Sequence, residues 1–390
     1  MAALGHLPEE VMIEILSRLP LESLLRFKTV RKSWYALIND PKFATKCFCN
    51  SLHQQKHILL KRLVTKNSGN QENVFSFLKF PLPFDGSVPV YDLDLPFEED
   101  FRYFEIRGHS HGVLCLTDLR KDIFLCNPAT REFQKLPRSI LLTEPLDEFI
   151  RITSFTNAVG FGYDSKSKDF KVVRVVDFVE LPCYFHPSRV EVYDLSKDRW
   201  REIQTPDRWS GIQSPICSKV FLTSCFEMYH EGTYYWWANT KVEGRAEIIR
   251  SFDMSEEVFR PIPVPKSLKG KREAYRSMGV LNGSIVLFHY PWSEDGREFD
   301  IWGMENDECG GVSWSKLLTI GPLYGIEKPL VFVGSHELLM EANGGQVILY
   351  NTRTQQFRKL PIKGHERFHA TVFVESLVSV KGGNNLTYEF

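Results

Sequence analysis

The sequence predicts a mainly β chain: a β-propeller of six blades behind a small N-terminal α module of three helices. Three observations carry that expectation. Apolar residues recur at helical spacing between residues 7 and 38, and a two-part motif recurs five times from about residue 105. Aromatic content is high, 13% with 29 Phe, as stacked strands require.

Composition narrows the class. A chain of 390 residues is long enough for two domains, and 43% hydrophobic with 25% charged residues is an ordinary globular balance. A net charge of −1 argues against a general nucleic-acid or membrane-surface binder. No stretch reaches the ~18 uninterrupted apolar residues of a membrane span. Glu9 and Glu10 stand where a secretory leader would carry positive charge, and the eight cysteines form no disulfide framework. Both features lead us to expect a reducing compartment, the cytoplasm or the nucleus.

The stretch "LPEEVMIEILSRLP", residues 7 to 20, puts Val11, Met12, Ile15, Leu16 and Leu19 on a helical stripe. Pro8 suits a first turn and Pro20 a stop. "LESLLRFK" and "VRKSWYALI" follow, with Val30, Trp34, Leu37 and Ile38 on one face of the last. So short a segment rarely buries enough surface to stand alone. Ile13, Leu21, Phe27 and Tyr35 add apolar surface away from the stripes, so the module packs on the body of the chain or completes its core on a partner protein.

Position by position, this segment resembles an F-box. The residues that carry the likeness are Leu7-Pro8, Ile15-Leu16, Arg18 to Pro20, Leu24, the run from Arg26 to Trp34, and Ile38, Pro41 and Phe43. Residues 1–48 are covered, and one departure is Arg31, where many members carry cysteine. The resemblance implies a Skp-type adaptor, and through it a cullin, as partners in an SCF-type ubiquitin ligase. It further implies adaptor contacts at Leu7, Pro8, Ile15, Leu16, Leu19, Pro20, Leu24, Leu25, Val30 and Trp34, with Leu16, Leu24 and Trp34 as apolar anchors.

In the body, the repeat anchors on Asn127, Asp194, Asp253, Glu305 and Asn351, with spacings of 67, 59, 52 and 46 residues. An aromatic follows six residues later (Phe133, Trp200, Phe259, Phe357), delayed to Trp314 in the fourth copy by an inserted "CGG". An aliphatic comes three further on: Leu136, Ile203, Ile262, Leu317 and Leu360. The unit reads as a β-hairpin whose Asn or Asp bonds the backbone of the turn. Aromatic and aliphatic then fall on opposite faces of the return strand, so both faces are buried or a bulge intervenes. A second strand pair precedes each hairpin, marked by "HGVLCL", "EGTYYWW", "NGSIVLF" and the glycine-less "SHELLM", while the second unit opens on a hairpin around "SKSKD". Two hairpins per repeat is the pattern of a kelch-like propeller blade. The unmatched strands "HILLKRL" and "NVFSFLKF" at the front and "FHATVFVESLVSV" at the end would combine into a sixth blade and close the ring.

The repeat segments also resemble the plant F-box proteins with an associated kelch-like domain, most closely the S-locus F-box group. That likeness spans nearly the whole chain and implies two domains, an F-box at 1–48 and a kelch-like propeller at 49–390. It implies a substrate receptor whose propeller holds the target for ubiquitination, a pistil S-ribonuclease in the self-incompatibility group. That group also contains relatives outside the self-incompatibility locus.

Residue chemistry gives no sign of catalysis, and we expect neither enzyme activity nor a cofactor. There is no His-Glu-x-x-His, no phosphate-cradling glycine loop and no CxxC pair. Cys47 and Cys49 around Phe48 read as core rather than metal ligands. His109 and His111 could serve as ligands or as acid and base, but the flanking glycines favour a turn. "DLDLP" lacks the glycine and terminal glutamate of a calcium loop. A propeller enzyme and an F-box protein acting outside ubiquitination remain the alternatives.

One segment is sharply charged. Residues 85 to 105 carry Asp92, Asp94, Glu98, Glu99 and Asp100 among further carboxylates, against a lone Arg102, interleaved with aromatics. It reads either as a solvated loop or as an acidic patch for a basic protein target such as a ribonuclease.

Overall fold

Four helices, not three, open the chain in the computed structural model, which describes residues 8–54, 56–65, 69, 71–82, 88–93, 104–118, 122–142, 152–180, 184–204, 212–213, 227–240, 247–268, 274–291, 296–306 and 311–381. They are α1 (Glu9–Leu16), α2 (Leu21–Phe27), α3 (Lys32–Ile38) and α4 (Pro41–Gln54). Pro8 and Pro20 each stand immediately before a helix, with φ of −51° and −55°. α1 therefore ends at Leu16, ahead of the proline expected to stop it. Asp40 starts α4: its Oδ1 accepts from Lys42 N at 2.8 Å and Phe43 N at 3.2 Å, with Pro41 at the first helical position. α4 runs across residue 48, where the sequence reading ended the module. Cys47 and Phe48 are buried as expected, whereas Cys49 is exposed.

Six antiparallel sheets follow. The first joins β1 (Lys56–Thr65), β2 (Gln71–Phe80) and β3 (Val90–Asp92) to the last strand of the chain, β25 (His365–Phe373), which pairs with β1. The second holds β4 (Glu105–Ser110), β5 (Val113–Thr117), β6 (Ile123–Asn127) and β7 (Glu132–Lys135). The third holds β8 (Ile152–Asp164), β9 (Asp169–Glu180), β10 (Tyr184–Asp194) and β11 (Arg199–Ile203). In the fourth, β12 (Ile212–Gln213) and β13 (Glu227–His230) both pair with β14 (Thr233–Thr240), followed by β15 (Glu247–Asp253) and β16 (Val258–Pro263). The fifth holds β17 (Ala274–Leu281), β18 (Ser284–Pro291), β19 (Arg297–Asn306) and β20 (Val312–Leu323). The sixth holds β21 (Ile326–Phe332), β22 (Glu337–Ala342), β23 (Gln346–Asn351) and β24 (Gln356–Lys363). First strands of successive blades meet around the axis, and the composite first blade closes the ring from both chain ends, as the sequence predicts.

Burial on both faces explains the continuous apolar runs. In β5, Val113 and Cys115 enter the core between the second and third blades, while Leu114 and Leu116 enter the core between the first and second. Each further pair of neighbouring blades encloses its own core in the same way.

The turns follow local chemistry. His111-Gly112, Glu231-Gly232 and Asn282-Gly283 all have positive φ at both positions, the two-residue turn that matches strand twist. The outer hairpins use four-residue turns closed by a left-handed residue, Arg131, Asp198, Glu257 or Gln355. Asn127, Asp253 and Asn351 bond the turn backbone as expected: Asp253 Oδ1 accepts from Ser255 N and Glu256 N, both at 2.9 Å. Asp194 does not, and the turn after Glu305 lies outside the described residues. Arg201 draws the Asp194 carboxylate to Nε at 3.0 Å, and Asp169 on β9 accepts from Ser196 N in its place at 3.0 Å. Glu305 accepts from Ser315 Oγ at 2.5 Å. Among the repeat apolar residues, Trp200, Phe259, Leu136, Ile262 and Leu360 are buried, while Leu317 and Phe357 are exposed.

Candidate functional site

Alternating strand direction puts the inner and outer hairpin turns of the second, third, fourth and sixth blades on one face of the propeller, and the helices pack on that face at His111. The Phe48 ring lies 5.0 Å from the ring of His111, which lies 4.8 Å from Tyr163. Leu16, Leu24, Ile38, Phe43 and Cys47 join one core with Val113, Leu125 and Phe170 of the second and third blades. The module thus packs on the body of the chain, and the question is what remains for a partner.

Leu16 and Leu24, expected as anchors for an adaptor, are buried within the chain at 4% and 0% exposure. Both belong to the core that the helices share with the second and third blades, so they shape the module from inside. Trp34 is half-buried, its ring 5.1 Å from Phe27, and Leu19 and Leu25 are likewise packed against the core. Pro8 and Pro20 are exposed, and Leu7 lies outside the described residues. Among the described residues of the helices, the large apolar side chains left open are Val11, Ile15, Val30 and Tyr35, at 42%, 49%, 60% and 58%, and Leu52 near the end of α4 at 40%. Val11 and Ile15 are one helical turn apart on α1 and share a face. Helical periodicity flagged Val11, and Tyr35 stood out as lying off the α3 stripe, but neither was singled out.

The opposite end of the propeller is charged and tightly paired. Arg107 on β4 reaches Glu227 on β13 at 3.0 Å, linking the second and fourth blades across the axis. Lys61 pairs with Glu105 at 3.2 Å and Lys328 with Glu341 at 3.3 Å, and Arg276 pairs with Glu247. Of the acidic residues expected to meet a target, Asp92 accepts from Arg62 Nη2 at 2.9 Å and Ser76 Oγ at 2.6 Å. It is tied into the first blade rather than presented free. Asp94, Glu98, Glu99 and Asp100 lie outside the described residues, in the connection from β3 to β4.

The two histidines of "GHSHG" sit where strands and helices join. His109 Nε2 bonds Thr371 on β25, and His111 Nδ1 bonds Ser110 Oγ at 2.7 Å. Burial pushes the His109 imidazolium down to about 4, and burial together with His109 pushes His111 down to about 3. Both rings are neutral near pH 7 and act as packing groups. Burial also lifts the thiols of Cys47 and Cys126 to about 12, leaving them protonated and unreactive. Among the described residues, no three of His, Cys, Asp and Glu converge as a metal site.

Residues 87–380 match the F-box associated beta propeller domain, and residues 4–50 match the F-box-like domain. The chain belongs to the plant F-box proteins with an associated β-propeller. F-box protein CPR1 of Arabidopsis thaliana is 27% identical, covering 99% of this chain and 92% of that protein. The Arabidopsis F-box/kelch-repeat protein At3g23880 is 30% identical, covering 90% and 89%. A Cps50 (Swd1) beta-propeller domain from Myceliophteria thermophila aligns over 80% of this chain and 91% of that one at 9% identity and a TM-score of 0.39, too low to carry an argument. For this F-box protein the family implies a Skp-type adaptor at the helices and a protein substrate at the propeller.

Proposed function

We propose that the chain is the substrate-recognition subunit of an SCF-type ubiquitin ligase, working in the cytoplasm or nucleus. The helices engage a Skp-type adaptor, and through it a cullin, while the propeller holds a protein target for ubiquitination and degradation. The observation that carries this reading is the division of the F-box surface. Leu16 and Leu24 fasten it inward, and Val11, Ile15, Val30 and Tyr35 stay open in a module whose family docks an adaptor. The family likeness adds Pro8, Leu19, Pro20, Leu25 and Trp34 to the proposed contact set.

The chain itself contributes binding and orientation rather than a chemical step. Its target is a basic protein, an S-ribonuclease if the chain acts in self-incompatibility, because the β3–β4 connection concentrates carboxylates and aromatics. Affinity purification of the tagged full chain with the proteasome blocked tests the reading. Adaptor and cullin should both co-purify, together with a ubiquitinated basic prey. Adaptor without cullin would mean a role outside ubiquitination, and absence of both would end the ligase reading.

A further inference from the structure

Beyond β25, residues 374–381 leave the ring-closing sheet and cross the turns of the second blade. Asn127 Nδ2 donates to Ser376 O at 3.0 Å and to Val378 O at 2.7 Å. Ser376 Oγ donates to His111 O at 2.7 Å, and Val380 N donates to Glu132 Oε2 at 2.9 Å. Ser376, Leu377, Val378 and Val380 are all buried. The approach is close: a Cβ at Gly112 would stand 2.3 Å from Ser376 Oγ.

The blade groups that hold this strap also meet the helices. The ring of His111 faces Phe48 of α4. Glu132 attracts the half-buried ammonium of Lys28, at the end of α2. Ala129, in the turn that Asn127 caps, packs on the core that Leu16, Leu24 and Phe43 share with Leu377, Val378 and Val380. The strap is therefore common to both modules.

We propose that residues 374–381 are a clasp that locks the helical module to the propeller, so that the outer face of the helices and the far face of the propeller keep one fixed separation. Ring closure alone does not require it, because β25 already completes the first blade. Nor does the turn: Asn127 caps it with Oδ1 alone, as Asn351 does in the sixth blade, which leaves the Asn127 amide donor to the strap. In a ligase, a fixed separation decides which target lysines come within reach. That consequence rests on the receptor reading; the clasp does not, and its test involves no partner.

Hydrogen exchange on the full chain tests it. Asn127→Asp keeps the acceptor that caps the turn, removes the donor, and sets a carboxylate oxygen against two carbonyls. Exchange in α4 and in 374–381 should accelerate at least tenfold, with the fifth blade unchanged. Asn351→Asp, the same change in an outer turn far from the strap, should alter neither segment. Ser376→Ala removes the strap's own bond to His111 O, so it covers the case in which Asn127→Asp does not fold. It should speed the same peptides by a smaller factor. Wild-type exchange in α4 of the folded variants would overturn the proposal, as would a rise spread evenly over all six blades.

Discussion

His109 shows how one side chain can tie the stability of this ring to pH. The sequence displayed it beside His111 as a candidate ligand or acid–base pair, a reading open to any two neighbouring histidines. What decides between the readings is burial, and that depends on which strands arrive on either side. Here β25, from the far end of the chain, brings Thr371 to His109. The folded value of about 4 lies below the ordinary 6.5. The folded state therefore holds fewer protons than the unfolded chain between those values, and stability is full above about pH 6.5 and falls as the pH drops toward 4. The slope is about 1.4 kcal/mol per pH unit for each such group. Urea unfolding of the wild type and His109→Gln at pH 7.5 and 5.0 should show a steeper loss in the wild type, by roughly 2 kcal/mol. Parallel losses would mean that His109 is not held neutral.

At the scale of single elements, hairpins were more legible than helices. The anchor-to-aromatic spacing located the outer hairpins of the second to sixth blades, because a strand, a polar turn and a return strand are neighbours in sequence. The expected caps were met at Asn127, Asp253 and Asn351, where the partner lies two or three residues away. Asp194 failed because its competitor, Asp169, comes from the adjacent strand 27 residues from Ser196. α4 was missed because the family likeness ended within it. The left-handed residues Arg131, Asp198, Glu257 and Gln355 that close the four described outer turns were also missed, since none is glycine. Gln355 at φ 58° is exposed, so Gln355→Gly should relieve backbone strain and raise stability by up to about 1 kcal/mol. Glu257 at φ 56° also bonds Lys171 Nζ at 2.7 Å and Arg201, so Glu257→Gly should lower stability by about 1–3 kcal/mol despite the same relief. Thermal unfolding of the two variants checks this, and equal shifts would show that the carboxylate contributes nothing.

On the scale of the whole molecule, blade number followed from counting hairpins and pairing the two loose ends. The seat of the helices on the second and third blades did not. Its contacts join Phe48 of α4 to His111 of the second blade, and no local pattern encodes such a pairing. The family likeness named Leu16 and Leu24 as partner contacts, whereas packing within the chain buries both, and a helical stripe shows that a face is buried, not against what. The structure instead leaves Val11, Ile15, Val30 and Tyr35 open, and the central claim is that this surface receives the adaptor. Calorimetric titration of the purified full chain with a Skp-type adaptor tests that claim most directly, using Ile15→Asp and Tyr35→Asp. The wild type should bind, and each variant should lose affinity at least about thirtyfold, the worth of a ~2 kcal/mol hot spot, at an unchanged melting temperature. A wild type that does not bind, or variants that bind as tightly as it does, would contradict the account.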